Sequence, residues 1–178
     1  MLRFYPIVVM IFVGIFFSFL LDCTAFEIES RYTTITYFDN RDLRKFNKKL
    51  YLGRLQSRIK GGYSDTIENE VIAKIDFIVE KVRAVLDMFP PNLKFSIVIH
   101  SNEREVQQDF RKLYKIDVGY IAFYSPSANK VFYSANNAVL GVVAHEIGHV
   151  VAENYFTVSP PQRIHEVLAQ FAEAHVTD

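Results

Sequence analysis

One cysteine in 178 residues, and no tryptophan, narrows the chemistry this chain can carry. The cysteine is Cys23, close to the N-terminus, so the rest of the chain can form no disulfide and offers no thiolate ligand. Any metal must therefore be held by histidine and carboxylate. Net charge is also missing, because 20 Lys and Arg balance 20 Asp and Glu. With no basic excess to neutralise phosphates, a nucleic-acid partner is not expected. Internal repeats and low-complexity tracts are absent as well, which excludes solenoids and compositionally biased linkers. What is present is a chain that is 50% apolar, rich in Phe and Tyr, and of a length that suits one packed domain.

The first 25 residues differ from the remainder. Arg3 is the only charged side chain before Asp22, and Ile7 to Leu21 is apolar apart from Gly14 and Ser18. That run is short for a bilayer, which needs roughly 20 residues, and fits the apolar core of a secretory signal peptide. Cys23-Thr24-Ala25 supplies small side chains for cleavage after Ala25. The expected organisation is a signal peptide over 1–25 and a single domain over 26–178. Two alternatives are a lipid anchor on Cys23, though Asp22 makes Leu20-Leu21-Asp22-Cys23 a poor lipobox, and an uncleaved membrane anchor. Each places the domain outside the cytoplasm, periplasmic or extracellular, with membrane contact only through this segment.

Beyond it, Arg31 to Tyr37 reads as a strand and Asp39 to Leu50 as a short basic helix. Gly61-Gly62 breaks the chain, and Ser64, Asp65 or Thr66 can cap the next helix. Ile67, Val71, Ile75, Ile78, Val82, Val85 and Phe89 recur at steps of three and four, predicting one amphipathic helix up to Pro90-Pro91. Leu93 to Ile99 is a predicted strand running into His100, and Asn102 caps a helix to Tyr114 with Val106, Phe110 and Leu113 inward. Tyr120–Tyr124 and Lys130–Ser134 flank a five-residue turn and read as a hairpin. Two helices follow, over Asn137–Asn154 and Pro161–Val176. The fold class is α+β in one domain.

The chemistry lies in His145-Glu146-Ile147-Gly148-His149. Histidines four apart share a helical face and can present both imidazoles to one ion. Glu146 projects about 100° from His145, near such an ion without binding it. Neutral imidazoles suit Zn²⁺, and an open fourth position lowers the pKa of a bound water to about 7. Glu146 can accept that water's proton and return it to a leaving amine. The helix is apolar nearly all round, so burying two histidines and a glutamate in it is costly unless they are paired or metal-bound. Ala138, Gly141, Gly148 and Ala152 make the histidine face small. Each glycine lowers helix propensity by up to about 1 kcal/mol relative to Ala, which implies a close approach by another element.

A third ligand is required. A metalloprotease family with a histidine six residues after the second motif histidine is excluded, because Tyr155 stands there. On the last helix, Glu166, Ala169, Gln170 and Glu173 share one face, opposite Ile164, Val167, Leu168, Phe171 and Ala174. Either that polar face is solvated, or it packs on the motif helix and Glu166 completes the site; His165 is its rival. A donor for the tetrahedral oxyanion is needed too. Tyr155 leads, with His165 and His175 in reach along the chain; His100 has no motif behind it.

His145-Glu146-Ile147-Gly148-His149, followed seventeen residues later by Glu166-Val167-Leu168-Ala169-Gln170-Phe171, resembles the gluzincin metallopeptidases, closest to the small peptidase MA-like group. The likeness covers roughly Leu93 to Val176. It implies a zincin-like fold, Zn²⁺ on His145, His149 and Glu166, and Glu146 as general base. It also implies that Lys130–Ser134 is a sheet edge to which a peptide or protein substrate adds as a strand. Two positions depart from the pattern: Val167 replaces a common Gly, and Gln170 replaces an Asp that orients a ligand histidine in larger relatives. A Gly-x-Met-Glu-Asn exopeptidase stretch is absent, which favours an endopeptidase. The competing functions are a non-catalytic or latent zinc-bound peptide-binding module, and a metal-free structural protein. An intact Glu146 separates the first reading from the second.

Overall fold

The computed structural model describes residues 25–59 and 66–178. The segment expected to be a signal peptide, with Cys23, and the break at Gly61-Gly62 with Ser64 and Asp65, lie outside the described residues. The chain forms strands β1 (Phe26–Glu29) and β2 (Thr33–Tyr37), helices α1 (Asn40–Lys49) and α2 (Ile67–Leu86), strand β3 (Phe95–His100) and helix α3 (Glu103–Tyr114). Strands β4 (Ala122–Ser125) and β5 (Lys130–Ser134) follow, then helices α4 (Leu140–Tyr155) and α5 (Gln162–His175). This is an α+β fold around one mixed sheet.

Local chemistry accounts for most boundaries. Asp39 caps α1 by accepting from the Arg41 amide at 2.7 Å. Thr66 accepts from Asn69 at the start of α2, and Asn102 accepts from Arg104 and Glu105 at the start of α3. Helix α2 stops earlier than its periodicity suggests, because Asp87 turns left-handed at φ 52° and closes the last carbonyls. Phe89 is consequently outside the helix and half exposed, with the Arg83 guanidinium over its ring. Leu113, expected inward, is exposed on α3. Strand β1 was not anticipated, although Phe26-Glu27-Ile28-Glu29 alternates as a half-exposed edge strand does.

The sheet order is β1-β2-β3-β5-β4, with β2, β3 and β5 parallel and both outer strands antiparallel to their neighbours. Register aligns Ile35, Ile97 and Val131 in one inward row, and Tyr37, Ile99 and Tyr133 in the next. Those rows are buried with Val71, Ile75, Ile78 and Val82 of α2 and Val143, Ile147 and Val150 of α4. The opposite face carries a smaller cluster, where α3 covers Val98, Phe123 and Phe132. The buried Tyr133 hydroxyl donates to the Val143 carbonyl at 3.0 Å, which pins α4 to the sheet two residues before His145.

The order corrects one expectation. Lys130–Ser134 is not a sheet edge, since β5 is hydrogen-bonded to β3 on one side and to β4 on the other. The hairpin folds its first strand outward, so at this end of the sheet the edge left unpaired among the described residues is Ala122–Ser125. No described helix is long and apolar enough to cross a membrane.

Candidate metal centre

Helices α4 and α5 run antiparallel, and their separation is set by small residues. A Cβ built on Gly148 would lie 2.9 Å from the Ala169 Cα and 3.2 Å from the Ala172 Cβ. Ala169 and Ala172 are fully buried against it. The small, polar face of α5 therefore packs on the motif helix, and its apolar stripe does not: Ile164, Val167 and Phe171 are each about half exposed. Packing is decided here by closeness rather than by hydrophobicity, because only the Gly-Ala-Ala seam lets the backbones approach.

This seam makes a direct test. Gly148→Ala should destabilise the metal-free protein by about 1–2 kcal/mol, since overpacking against backbone costs 1–3 and outweighs the helix-propensity gain. Gly141→Ala should be close to neutral, because its Cβ would meet only the movable end of Glu173, at 3.3 Å. Denaturant midpoints of the two variants distinguish these outcomes.

The seam places the functional groups. The Glu166 carboxylate lies 3.7 Å from His145 Nε2 through one oxygen and 3.7 Å from His149 Nε2 through the other. Among the described residues, His145, His149 and Glu166 form a group whose ligand atoms all lie within 4.8 Å of one another. A tetrahedral ion bonded at about 2.0–2.2 Å separates its ligand atoms by about 3.4 Å, so binding one would draw the three groups together by up to about 1.4 Å. The imidazole rings are 4.9 Å apart and steeply inclined, at 79°. His145 Nδ1 donates to Glu173 at 3.0 Å, which leaves its Nε2 lone pair free for an ion. That partner is Glu173, not Gln170, which is exposed.

Electrostatics agree with a cation. The groups line a cavity of about 490 Å³ that also holds Glu146 and Glu153. None of its described lining residues is Lys or Arg. Burial pushes the Glu146 carboxyl up to about 8; the charges of Glu166 and Glu173 push the same way, against a hydrogen bond from the Tyr124 backbone amide. A divalent ion beside it favours the carboxylate. Burial, and repulsion from His145, hold His149 down to about 4, so at neutral pH it is the uncharged imidazole that binds metals.

Other anticipated residues fall elsewhere. Tyr155, at the end of α4, is exposed beside Phe156 and lines no part of the cavity. His175 pairs with Asp178 and lies tilted against the Phe171 ring, outside it too. His100 sits on interior strand β3, with Nε2 2.8 Å from Asp109 of α3, on the sheet face away from α4. Of the oxyanion donors weighed from the sequence, only His165 lines the cavity. Its Nε2 lies 3.0 Å from Glu153 and 3.3 Å from the Ser159 hydroxyl, so that nitrogen is engaged away from the three-ligand group. Glu173 was recognisable as lying two turns beyond Glu166 on the same face. The Glu153–His165 pair and the Tyr124 amide have no local signal.

Compared with family models, curated proteins and solved structures, the chain matches none.

Proposed function

We propose that the chain is an exported zinc-dependent peptidase, of the gluzincin type its motifs resemble. The observation that carries this reading is the convergence of His145, His149 and Glu166 within 4.8 Å, in the cavity that also holds Glu146. Their two neutral nitrogens and one carboxylate suit zinc, and three protein ligands leave a coordination position open. A zinc ion bound there supplies Lewis acidity that makes water nucleophilic at neutral pH. Glu146 accepts the water's proton and passes it to the departing amine, while the Tyr124 amide holds its carboxylate in place. Glu173 holds His145 in one tautomer and orientation. The free edge of β4 runs along the same cavity, through Ala122, Phe123 and Tyr124, and offers an extended peptide a strand to pair with.

Export rests on the segment up to Ala25; cleavage after Ala25 leaves β1 whole, since it starts at Phe26. N-terminal sequencing of the secreted protein should read Phe26, and a retained Met1 would overturn cleavage.

The primary test combines metal analysis with a peptide-library assay. Zinc near one equivalent per chain and zinc-dependent cleavage are the expected results. Zinc below about 0.2 per chain after reconstitution removes the metal reading. Zinc with peptide binding but no cleavage converts the protein into a binding module. Because Tyr155 stands outside the cavity, Tyr155→Phe should leave kcat/KM within about twofold. A hundredfold loss would restore it as the oxyanion donor.

A further inference from the structure

The free edge has two sides, and only one carries the metal ligands. Ser134 donates to the Ile121 carbonyl at 3.2 Å, so in this antiparallel ladder Ala122 and Tyr124 turn their backbone groups outward. The Tyr124 amide is taken by Glu146, which leaves both polar groups of Ala122 and the Tyr124 carbonyl for a partner strand. Side chains of a strand added there alternate between the two sheet faces. Those on one face meet the cavity floor of His145 and His149. Those on the other face meet α3.

That second face is lined by aromatic rings. Phe110 of α3 stands edge-on to Phe123 of β4 at 5.0 Å and to Tyr120 at 5.1 Å, with Tyr114 tilted against it at 4.6 Å. Phe123 is buried in the sheet, whereas Tyr120 is 50% exposed, and all four residues line the cavity. The cluster is thus anchored on its sheet side and shares one cavity with the candidate ligands. Charge points the same way: Glu146, Glu153 and Glu166 share the cavity with no described Lys or Arg, so an acidic side chain is disfavoured.

We propose that this site takes extended peptides bearing a large apolar side chain, aromatic above all, packed on the shelf of Phe110, Tyr120 and Phe123 while its neighbours face the metal. The inference rests on the peptidase reading for its substrate, but makes a separate claim about selection. Aromatic side chains add ring-on-ring contacts to their buried area, and offset or edge-on packing matches the ring arrangement already there.

The test uses the full mature chain, zinc-loaded and carrying Glu146→Gln, with fluorescent octapeptides of Ala and Ser in which one Phe is moved position by position. Anisotropy should show Phe peptides binding about tenfold tighter than the Phe-free peptide, the effect of burying part of one aromatic side chain. Tyr120→Ala should remove most of that preference; because Tyr120 is half exposed, the variant should keep its melting temperature within a few degrees. With the wild-type protein, the cut bond should travel with the Phe at a constant offset. Equal binding of all peptides, no binding of any, or a Phe preference untouched by Tyr120→Ala would each overturn the shelf. Cleavage without Phe preference leaves the peptidase and removes the shelf. Phe-selective binding without cleavage does the reverse.

Discussion

Glu146→Gln should lower kcat by about a thousandfold while zinc stays bound, since a general base contributes 10²–10⁴. Glutamine is nearly isosteric and can still accept the Tyr124 amide hydrogen bond through its carbonyl oxygen, so α4 need not move. It cannot take a proton from water. The substitution also removes a carboxyl that burial and two neighbouring carboxylates disfavour as an anion, so metal-free stability should not fall. Single-turnover cleavage beside zinc analysis on the same sample decides the matter. Unchanged cleavage would leave the metal site intact and remove Glu146 from the mechanism.

The second large effect is on the metal. On the proposed function, Glu166→Ala removes one of three zinc ligands and should weaken zinc binding by more than a hundredfold, beyond what loss of an orienting group costs. Glu173→Ala removes only the acceptor for His145 Nδ1, and should cost about 10–100-fold. Gln170→Ala should cost nothing measurable, because Gln170 is exposed. His165→Ala breaks the pair with Glu153 but no ligand, and should fall well short of Glu166→Ala. Competition with a chelator ranks all four. If His165→Ala matched Glu166→Ala, the ligand set would be wrong; if Gln170→Ala matched Glu173→Ala, the orienting role would be misplaced.

The legible part of the site was its local part. His145 and His149 share a face because four residues make just over one turn, and Glu166, Ala169 and Glu173 share one because three and seven residues are close to one and two turns. The glycines of α4 announced a close neighbour, and the structure supplies it as Ala169 and Ala172. Asn102 caps α3 where the sequence places it, Thr66 is the cap of α2 among the three residues the sequence offered, and α1 begins directly after Asp39. Tyr155 was drawn in by nearness along the chain, yet the last turn of α4 carries it past the cavity, where it meets Phe156 instead. Lys130–Ser134 looked like an edge because a hairpin alone does not say which of its strands lies outside. Pairing of β5 with β3, between segments thirty-odd residues apart, puts β4 outermost.

The sequence by itself determined helices α1 to α5, the strands other than β1, and the imidazole and carboxylate donors of the candidate site, since each follows from side-chain identity and from periods of two or 3.6 residues. Only the tertiary structure decided that α5 turns its small polar face inward and leaves Ile164, Val167 and Phe171 half exposed, that Glu173 rather than Gln170 holds His145, and that the outer strand beside the candidate ligands is β4. Those choices depend on how closely two backbones can approach and on which strands pair across the chain, and neither distance is written in any local pattern.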